Sequence, residues 1–557
     1  MIPVEILIWK YFIDSVVVSI SSKKIFMPVL ILIIHFCVGI VDNLIIHMES
    51  YFEEMEVDYI NKFLTGLTIN KTSKLEMSYF DEKKNYDIIQ KVNTESTQRL
   101  INILSMTMNF VRNFVTLVGI VSVLLLLNGW IIIFCLMISV PSALISYKMS
   151  KKQYKIFNSR IEDLRKITEI KNILVNYENV KELKIYRLGK FFEEYATKLC
   201  DKFICQNKIV KKKYVMDVNL SETLQIAVLY LLKFYVVIQV VYKKMSIGDL
   251  SLFINAIDNF HNCISSMFKS IIKLYENGLY IKDLNDFLRL PVQKSKTGLK
   301  FNNKFKIIEF SHVYFKYGPN EPYILEDINL TIERGKSYAF VGINGAGKTT
   351  IVKLLLNLYR PSSGRITIDG VDINKFAVEE YWKNIGAVFQ EFIQYPFDVN
   401  HNIGFGCVEK GFDSECIKDA AKKSGAYEFV SKLKNGFETN LKKGWEESTQ
   451  LSLGQWQKIA ISRVFMEDFP ILVLDEPTAS VDARTEYELY NKIKMLINDR
   501  TCILISHRLS TVKLVNTIFV LENHCLVEKG THEELMKKNK VYASLYNMQA
   551  EAYEDNL

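Results

Sequence analysis

Two regimes of hydrophobic patterning divide the chain. In the first half, apolar residues come in long runs, Phe26 to Ile46, Phe110 to Leu127, Trp130 to Tyr147 and Glu222 to Tyr242, with a weaker run from Asp249 to Ile272. At ~1.5 Å of rise per residue, each is about long enough as a helix to cross a ~30 Å hydrocarbon slab. The longer runs are apolar all round the helix, which predicts membrane spans rather than a soluble bundle with one wet face. From Lys306 the pattern changes. Lys306 to Phe310 and Ser337 to Val341 read as strands, glycines and prolines gather, and the stretch from Thr349 reads as a helix.

Charge orients the first half. Lys71, Lys74, Lys83, Lys84, Lys91 and Arg99 follow the first strong run, and Lys148, Lys151, Lys152, Lys155, Arg160, Arg165 and Lys166 follow Tyr147. Basic flanks mark the cytoplasmic side, so both stretches are expected there, with the short uncharged Asn128-Gly129 turn outside and Lys243 and Lys244 a mild exception to the rule. The net charge of +8 sits largely beside these runs, which excludes nucleic acid as the expected partner and points to a membrane surface and its lipid. Met1 to Ser22 carries Glu5, Lys10 and Asp14 and no small-residue cleavage site, unlike a signal peptide. Nine scattered cysteines form no CxxC or Cys/His cluster, so neither a disulfide framework nor a metal site is expected from them. A chain of 557 residues suits two or three domains.

The chemistry lies in the second half. Gly342-Ile343-Asn344-Gly345-Ala346-Gly347-Lys348-Thr349-Thr350 is a glycine-rich loop entering a helix. Backbone N–H groups of such a loop close around phosphates, Lys348 reaches the outer phosphates, and Thr349 offers its hydroxyl to Mg²⁺. The helix adds its positive N-terminal end. A second candidate phosphate loop, Leu451-Ser452-Leu453-Gly454-Gln455, precedes the apolar strand Ile471 to Leu474, which delivers Asp475 and Glu476. Asp475 is placed to hold Mg²⁺ through water, and Glu476 to orient or deprotonate an attacking water.

In this order the motifs resemble the ATPase domain of ABC transporters, from about Phe305 onward. The resemblance implies ATP and Mg²⁺ as cofactors and assigns further roles. Tyr317 stacks on adenine, and Gln390 contacts Mg²⁺ and faces the membrane domain. Glu476 is the catalytic base, and His507 contacts the γ-phosphate and helps position the water. Ser480-Val481-Asp482 matches the D-loop, and Leu453 stands where the family has glycine, while Ser452 and Gly454 remain to meet the γ-phosphate and Gln455 completes the signature. The family's signature acts on nucleotide held by the opposite subunit, so a second half-transporter is implied, most simply in a symmetric homodimer. The fold implied is an α-helical polytopic membrane domain of ABC exporter type followed by an α/β P-loop ATPase domain. The expected division is 1–290 transmembrane with cytoplasmic helical extensions, 291–304 linker and 305–557 nucleotide-binding domain. Six spans are implied, of which Met1 to Asp14 reads as only the end of the first. Met77 to Asp81 and Val180 to Tyr186 stand where the family's intracellular segments touch the ATPase.

Ionisable residues interrupt the spans at His35, Asp42, His47, Lys233, Asp258 and His261. They either face a water-filled cavity or a partner, and could line a substrate path, or snorkel from span ends, the expectation for Asp42 and His47. Gly248 to Phe253, Leu274 to Tyr280 and Leu451 to Lys458 resemble exporters of lantibiotic-type modified peptides that lack a leader-cutting peptidase domain. The expectation is a multi-pass protein of the cell membrane, its ATPase cytoplasmic, exporting a peptide-like substrate. The alternatives are a multidrug or lipid exporter and a truncated ATPase that does not transport.

Overall fold

The structure is a computed structural model and describes residues 2–177, 179–242, 245–293, 298–442, 447–476, 488, 492, 494–495, 500–506 and 509–554. The chain separates into two compact units, Met1–Thr72 with Asp87–Leu290, and Ser73–Tyr86 with Pro291–Leu557. The second unit therefore contains a short segment that a division at residue 290 assigns to the membrane half.

The first unit is helical. Its elements are α1 (Ile2–Ser22), α2 (Phe26–Thr72), most of α4 (Lys83–Leu125), α5 (Trp130–Val175), the short α6 (Val180–Ile185), α7 (Leu188–Tyr242) and α8 (Ile247–Arg289); the four-residue α3 (Ser78–Asp81) belongs to the second unit. At ~1.5 Å per residue the 47 residues of α2 run about 70 Å, more than twice a ~30 Å slab. A lipid-length apolar stretch and a polar extension are thus one continuous helix. Phe26–Thr72, Gln98–Leu125, Trp130–Val175 and Leu188–Tyr242 are long and apolar enough to cross a membrane. At 21 residues, α1 is the shortest of the long helices.

Burial in this unit differs from that of a soluble bundle, because exposed apolar residues surround a buried apolar centre. The most apolar stretch of α2 buries none of its residues within the chain, and Phe26, Ile33, Phe36 and Leu44 stand exposed. A surface of that kind is tolerated where the solvent is lipid. Ile120 and Leu124 of α4, Ile131 of α5, Leu232 and Val236 of α7, and Ile257 and Phe260 of α8 form the apolar centre.

Five charges of the first unit find partners between helices. Lys233 of α7 meets Asp258 of α8 at 2.7 Å. Lys10 of α1 meets Asp249 at 2.7 Å. Asp14 accepts from Ser246 Oγ at 3.0 Å and from the Gly248 backbone at 2.9 Å, so the acidic and basic residues of α1 close onto the first turn of α8. A Cβ on Gly248 would lie 2.4 Å from that carboxylate, which is why the close approach needs glycine. His35 lies tilted against Trp9, with ring centroids 5.5 Å apart and planes at 50°, and His47 is exposed. His261 lines a 240 Å³ polar cavity with Ser139, Ser142, Gln225 and Glu222. Lys243 and Lys244 lie outside the described residues.

The second unit carries two sheets. β1 (Ile307–Phe315), β2 (Leu325–Glu333), β4 (Ser363–Ile368) and β5 (Val371–Asp372) form an antiparallel sheet in the order β2-β1-β4-β5. The larger sheet runs β10-β9-β3-β8-β7-β6, from β3 (Ser337–Gly342), β6 (Ile385–Val388), β7 (Ile471–Asp475), β8 (Thr501–Ile505), β9 (Thr517–Glu522) and β10 (Cys525–Gly530). All its neighbours are parallel except the edge pair β9 and β10. Every residue of β3, β7 and β8 is buried, as expected for strands covered on both faces. Helix α9 (Lys348–Leu355) follows β3, and α10 (Val378–Trp382) precedes β6. Helices α11 (Val399–Gly404), α12 (Ser414–Ser424), α13 (Tyr427–Val430) and α14 (Leu453–Ser462) gather round a separate cluster centred on Ile403, Ile417, Trp456 and Ile459.

Candidate nucleotide site

The glycine loop leaves the carboxyl end of β3 and enters α9 at Lys348. Two of its glycines are structural necessities. Gly347 caps α9 with φ of 97°, a left-handed conformation that a side chain strains, and a Cβ there would meet Leu325 at 2.6 Å. At Gly342 a Cβ would fall 2.3 Å from the Leu521 carbonyl oxygen of the neighbouring strand. Asn344 and Gly345 form the exposed tip, Ala346 is buried beneath it, and Thr349 is exposed in the first turn of α9.

Lys348 folds back over its own loop, donating to the carbonyls of Gly342 at 2.8 Å and Ile343 at 2.9 Å. It is 6% exposed, and burial lowers its pKa, against the pull of Glu476 and Asp475. Asp475 ends β7 at 3% exposure, its Oδ1 without a hydrogen-bond partner among the described residues. Its pKa is pushed up to about 6, by burial first and the Glu476 charge second, while Lys348 and Lys353 pull it down. Buried carboxylate oxygens are normally satisfied, so an orphan beside a phosphate loop marks a place for a cation. Glu476 takes the left-handed conformation, φ 48°, as its N–H donates to the Ile505 carbonyl at 2.9 Å. Non-glycine residues held there are strained, and such strain gathers at functional sites. Gln390, exposed, lies two residues past β6, beside the β7 end that carries Asp475.

Tyr317 follows β1. Its hydroxyl lies 3.2 Å from Thr350 Oγ1 and accepts from Lys353 Nζ at 3.2 Å, so it is tied to the phosphate-loop helix. Its ring meets Tyr359 edge to face, centroids 5.3 Å apart at 90°.

The signature residues stand elsewhere. Ser452 caps α14 through a reciprocal pair, its Oγ accepting from Gln455 N at 3.3 Å while Gln455 Oε1 accepts from Ser452 N at 2.9 Å. Gly454 sits half-buried in the first turn and Leu453 is 48% exposed. Leu451 and Trp456 anchor this loop in the helical cluster, whereas Ala346 and Ile351 anchor the glycine loop in the sheet core. The structure thus gathers Gly342, Gly347, Lys348, Thr350, Asp475, Glu476 and Tyr317 around the carboxyl ends of the interior strands β3 and β7 and seats Ser452, Gly454 and Gln455 on another core. His507 and the D-loop with Asp482 lie outside the described residues.

Sequence reasoning missed Lys353, Tyr359 and Arg360. Lys353 is five residues past Lys348, and its Nζ lies over both the Tyr317 and Tyr359 rings, at 5.2 and 5.6 Å. Tyr359 donates to Asp81 of α3 at 2.5 Å, and Arg360 pairs with Glu76 at 3.1 Å. The segment is held further by Gln293 N donating to the Lys74 carbonyl at 2.8 Å. The signal available was Tyr359-Arg360 placed soon after the phosphate-loop helix, but its partners are 278 and 284 residues away.

A phosphate-loop ATPase fused to lipid-length helices defines an ATP-hydrolysing membrane transporter. Comparison with known proteins specifies the family. The family model for ABC transporters matches residues 325–479. The chain is 30% identical over 541 residues to the nisin transport ATP-binding protein NisT of Lactococcus lactis subsp. lactis, covering 94% of this chain and 88% of that protein. It is 29% identical to the subtilin transport ATP-binding protein SpaT of Bacillus subtilis, over 89% of this chain and 83% of that one. It is 28% identical to an ATP-dependent lipid A-core flippase of Legionella pneumophila (strain Lens), over 97% and 90%. The solved structure of a bacterial Atm1-family ABC exporter with ATP bound shares the fold, with a TM-score of 0.82 at 20% identity, covering 98% of this chain and 96% of that one. The chain belongs to the ABC transporter family. It is a multi-pass membrane protein with a C-terminal ATPase domain, and it binds ATP and hydrolyses it to drive export.

Proposed function

We propose that the chain is one half of a symmetric dimer that exports a modified peptide, with ATP held between Lys348 of one copy and Ser452 of the other. The observation that carries the ATP part is the buried Oδ1 of Asp475, which has no hydrogen-bond partner among the described residues, near a lysine that is spending its donors on loop carbonyls. Burial disfavours the charge of both groups more than their mutual attraction restores, and phosphate and metal would compensate the difference. The seating of the signature on a different core from the glycine loop supports a nucleotide closed by a second copy.

In this reading the loop amides and Lys348 bind the phosphates, and Tyr317 carries the adenine. Asp475, Thr349 and Gln390 supply the hard oxygen donors that suit Mg²⁺, which when bound neutralises charge on the phosphates. Glu476 takes the proton of the attacking water. His507 holds the γ-phosphate side and Asp482 joins the dimer contact, as the motif order implies. The residue division is 1–290, 291–304 and 305–557, with 77–81 and 180–186 carrying the ATPase cycle to the membrane helices. ATP binding favours the closed dimer and hydrolysis releases it, so the membrane domain alternates its opening.

The similarity to SpaT and NisT over most of the chain supports a lantibiotic-type cargo. Inverted membrane vesicles test it. ATP-dependent uptake of a modified lantibiotic precursor, absent with Glu476→Gln, is expected. Flipping of a lipid or extrusion of a lipophilic dye without peptide uptake would replace the peptide reading with the lipid or multidrug one.

A further inference from the structure

Near the ends of their apolar stretches, α5 and α7 carry a band of lysines that lack ion-pair partners among the described residues. Ser146 Oγ of α5 lies 3.3 Å from the Tyr214 hydroxyl of α7, and Arg160 donates to Gln206 Oε1 at 2.8 Å. The stretches between these two contacts, 146–160 and 206–214, therefore run side by side. Lys148, Lys151, Lys152 and Lys155 stand exposed on the first. Lys208, Lys211, Lys212 and Lys213 stand exposed on the second. Neither stretch contains an acidic residue. Glu276 of α8 approaches the first, but there it accepts from Ser150 Oγ at 3.4 Å. Farther along the same helices the lysines are matched, Lys166 by Glu162 at 3.4 Å and Lys202 by Asp163 at 2.9 Å. The uncompensated charge is thus local to the band.

We infer that this band is a docking surface for anionic phospholipid headgroups of the cytoplasmic leaflet. The lysines of each helix span about 8–10 Å along its axis, roughly one Debye length, so they repel one another and are favourable together only where anions gather. Four to eight basic residues immediately beyond a span have the density that draws acidic lipid. One turn from the lysines, Leu144 of α5 and Met216 of α7 are exposed, so acyl chains and headgroups find matching surface on the same two helices. A general excess of basic residues on the cytoplasmic side does not require this concentration. Indeed α2 leaves its apolar stretch through Glu49, Glu53, Glu54, Glu56 and Asp58, with no lysine or arginine before Lys62. The α2 of a second copy is the competing occupant, but its five carboxylates are too few for eight ammonium groups, and Glu49 is already held by Arg112 at 3.2 Å. Lipid is in excess and has no such limit.

Electron paramagnetic resonance tests this on the full chain in phosphatidylcholine vesicles, with spin-labelled phosphatidylglycerol or phosphatidylcholine as the probe, since it separates lipid held at the protein from free lipid. At low salt the chain is expected to hold phosphatidylglycerol about fivefold or more over phosphatidylcholine, the worth of a single lysine near an acidic surface. The preference should fall toward one as salt shortens the reach of the charges to a few ångströms. Lys208→Gln, Lys211→Gln, Lys212→Gln and Lys213→Gln together should remove most of it, whereas the same four positions changed to arginine should keep it, which separates charge from folding. A wild type without preference, a preference indifferent to salt, or a four-glutamine variant as selective as wild type overturns the assignment. Equal loss in the arginine variant does so too. Carbodiimide cross-linking of these lysines to residues 53–58 of a second copy would give the band to a contact between chains instead.

Discussion

Replacing Asp475 by asparagine is expected to stabilise the nucleotide-free protein while abolishing its ATP turnover. The carboxyl ordinarily titrates at 3.8 and in the fold at about 6, because burial and the Glu476 charge disfavour ionisation. Its folded pKa lies above its unfolded one, so the ionised form carries a penalty that is absent below pH 3.8, grows between 3.8 and about 6, and is complete above. At 1.36 kcal/mol per unit the penalty approaches about 3 kcal/mol at neutral pH. The pull of Lys348 is already contained in that value, but the buried amide of asparagine brings one more donor than the protonated acid to satisfy, a cost of about 1–2 kcal/mol, so about 1–2 kcal/mol is the expected net stabilisation at pH 7.5. By pH 5 the wild type has largely taken up its proton and recovered about 1 kcal/mol, and the advantage of the variant shrinks accordingly. The assay is thermal unfolding of the detergent-purified, EDTA-treated chain at the two pH values. A shift of roughly 2–8 °C is expected for the ATPase transition at pH 7.5. An asparagine variant that is less stable than wild type at pH 7.5, or whose advantage does not change with pH, would refute the argument. The trade of stability for function at a strained, charged site is the general expectation.

Three further outcomes are expected. Glu476→Gln should bind ATP normally and lose about 10²–10⁴-fold in turnover, as removal of a general base does, measured by phosphate release. Lys348→Ala should weaken ATP binding about 10- to 100-fold, the range for hydrogen bonds to charged groups, with unchanged titration by a fluorescent ATP analogue counting against it. Lys233→Met should lower the thermal midpoint by leaving Asp258 unpaired, at a cost of about 1–3 kcal/mol given the pair's partial exposure, and adding Asp258→Leu should restore most of it. A single variant as stable as wild type would show the pair to be inert.

Local signals carried much of the architecture. The strand that delivers Lys348 and the strand that delivers Asp475 are short, mostly apolar runs, so Ser337 to Val341 and Ile471 to Leu474 announce themselves. The long apolar runs likewise announce lipid-facing helices, and the glycine loop announces phosphate. What stayed hidden depends on pairs far apart in sequence. Lys233 and Asp258 each called for a cavity or a partner, and only the packing of α7 on α8 shows each to be the other's partner. Lys10 and Asp14 read as blemishes in an apolar stretch, yet they seat on Asp249, Ser246 and Gly248 more than 230 residues away. The four residues of α3 are too few to show any periodicity, so Tyr359 and its contact with Asp81 had no local signature.

Because residues 73–86 cluster with the second unit, the polypeptide passes between units at three places rather than one. An excised ATPase beginning at Pro291 would leave Tyr359 without Asp81 and Arg360 without Glu76. The two halves are therefore poor cassettes for exchange. A chimera that grafts this ATPase onto a foreign membrane half must bring the 73–86 insert along, or inherit an open groove where native sequence once lay.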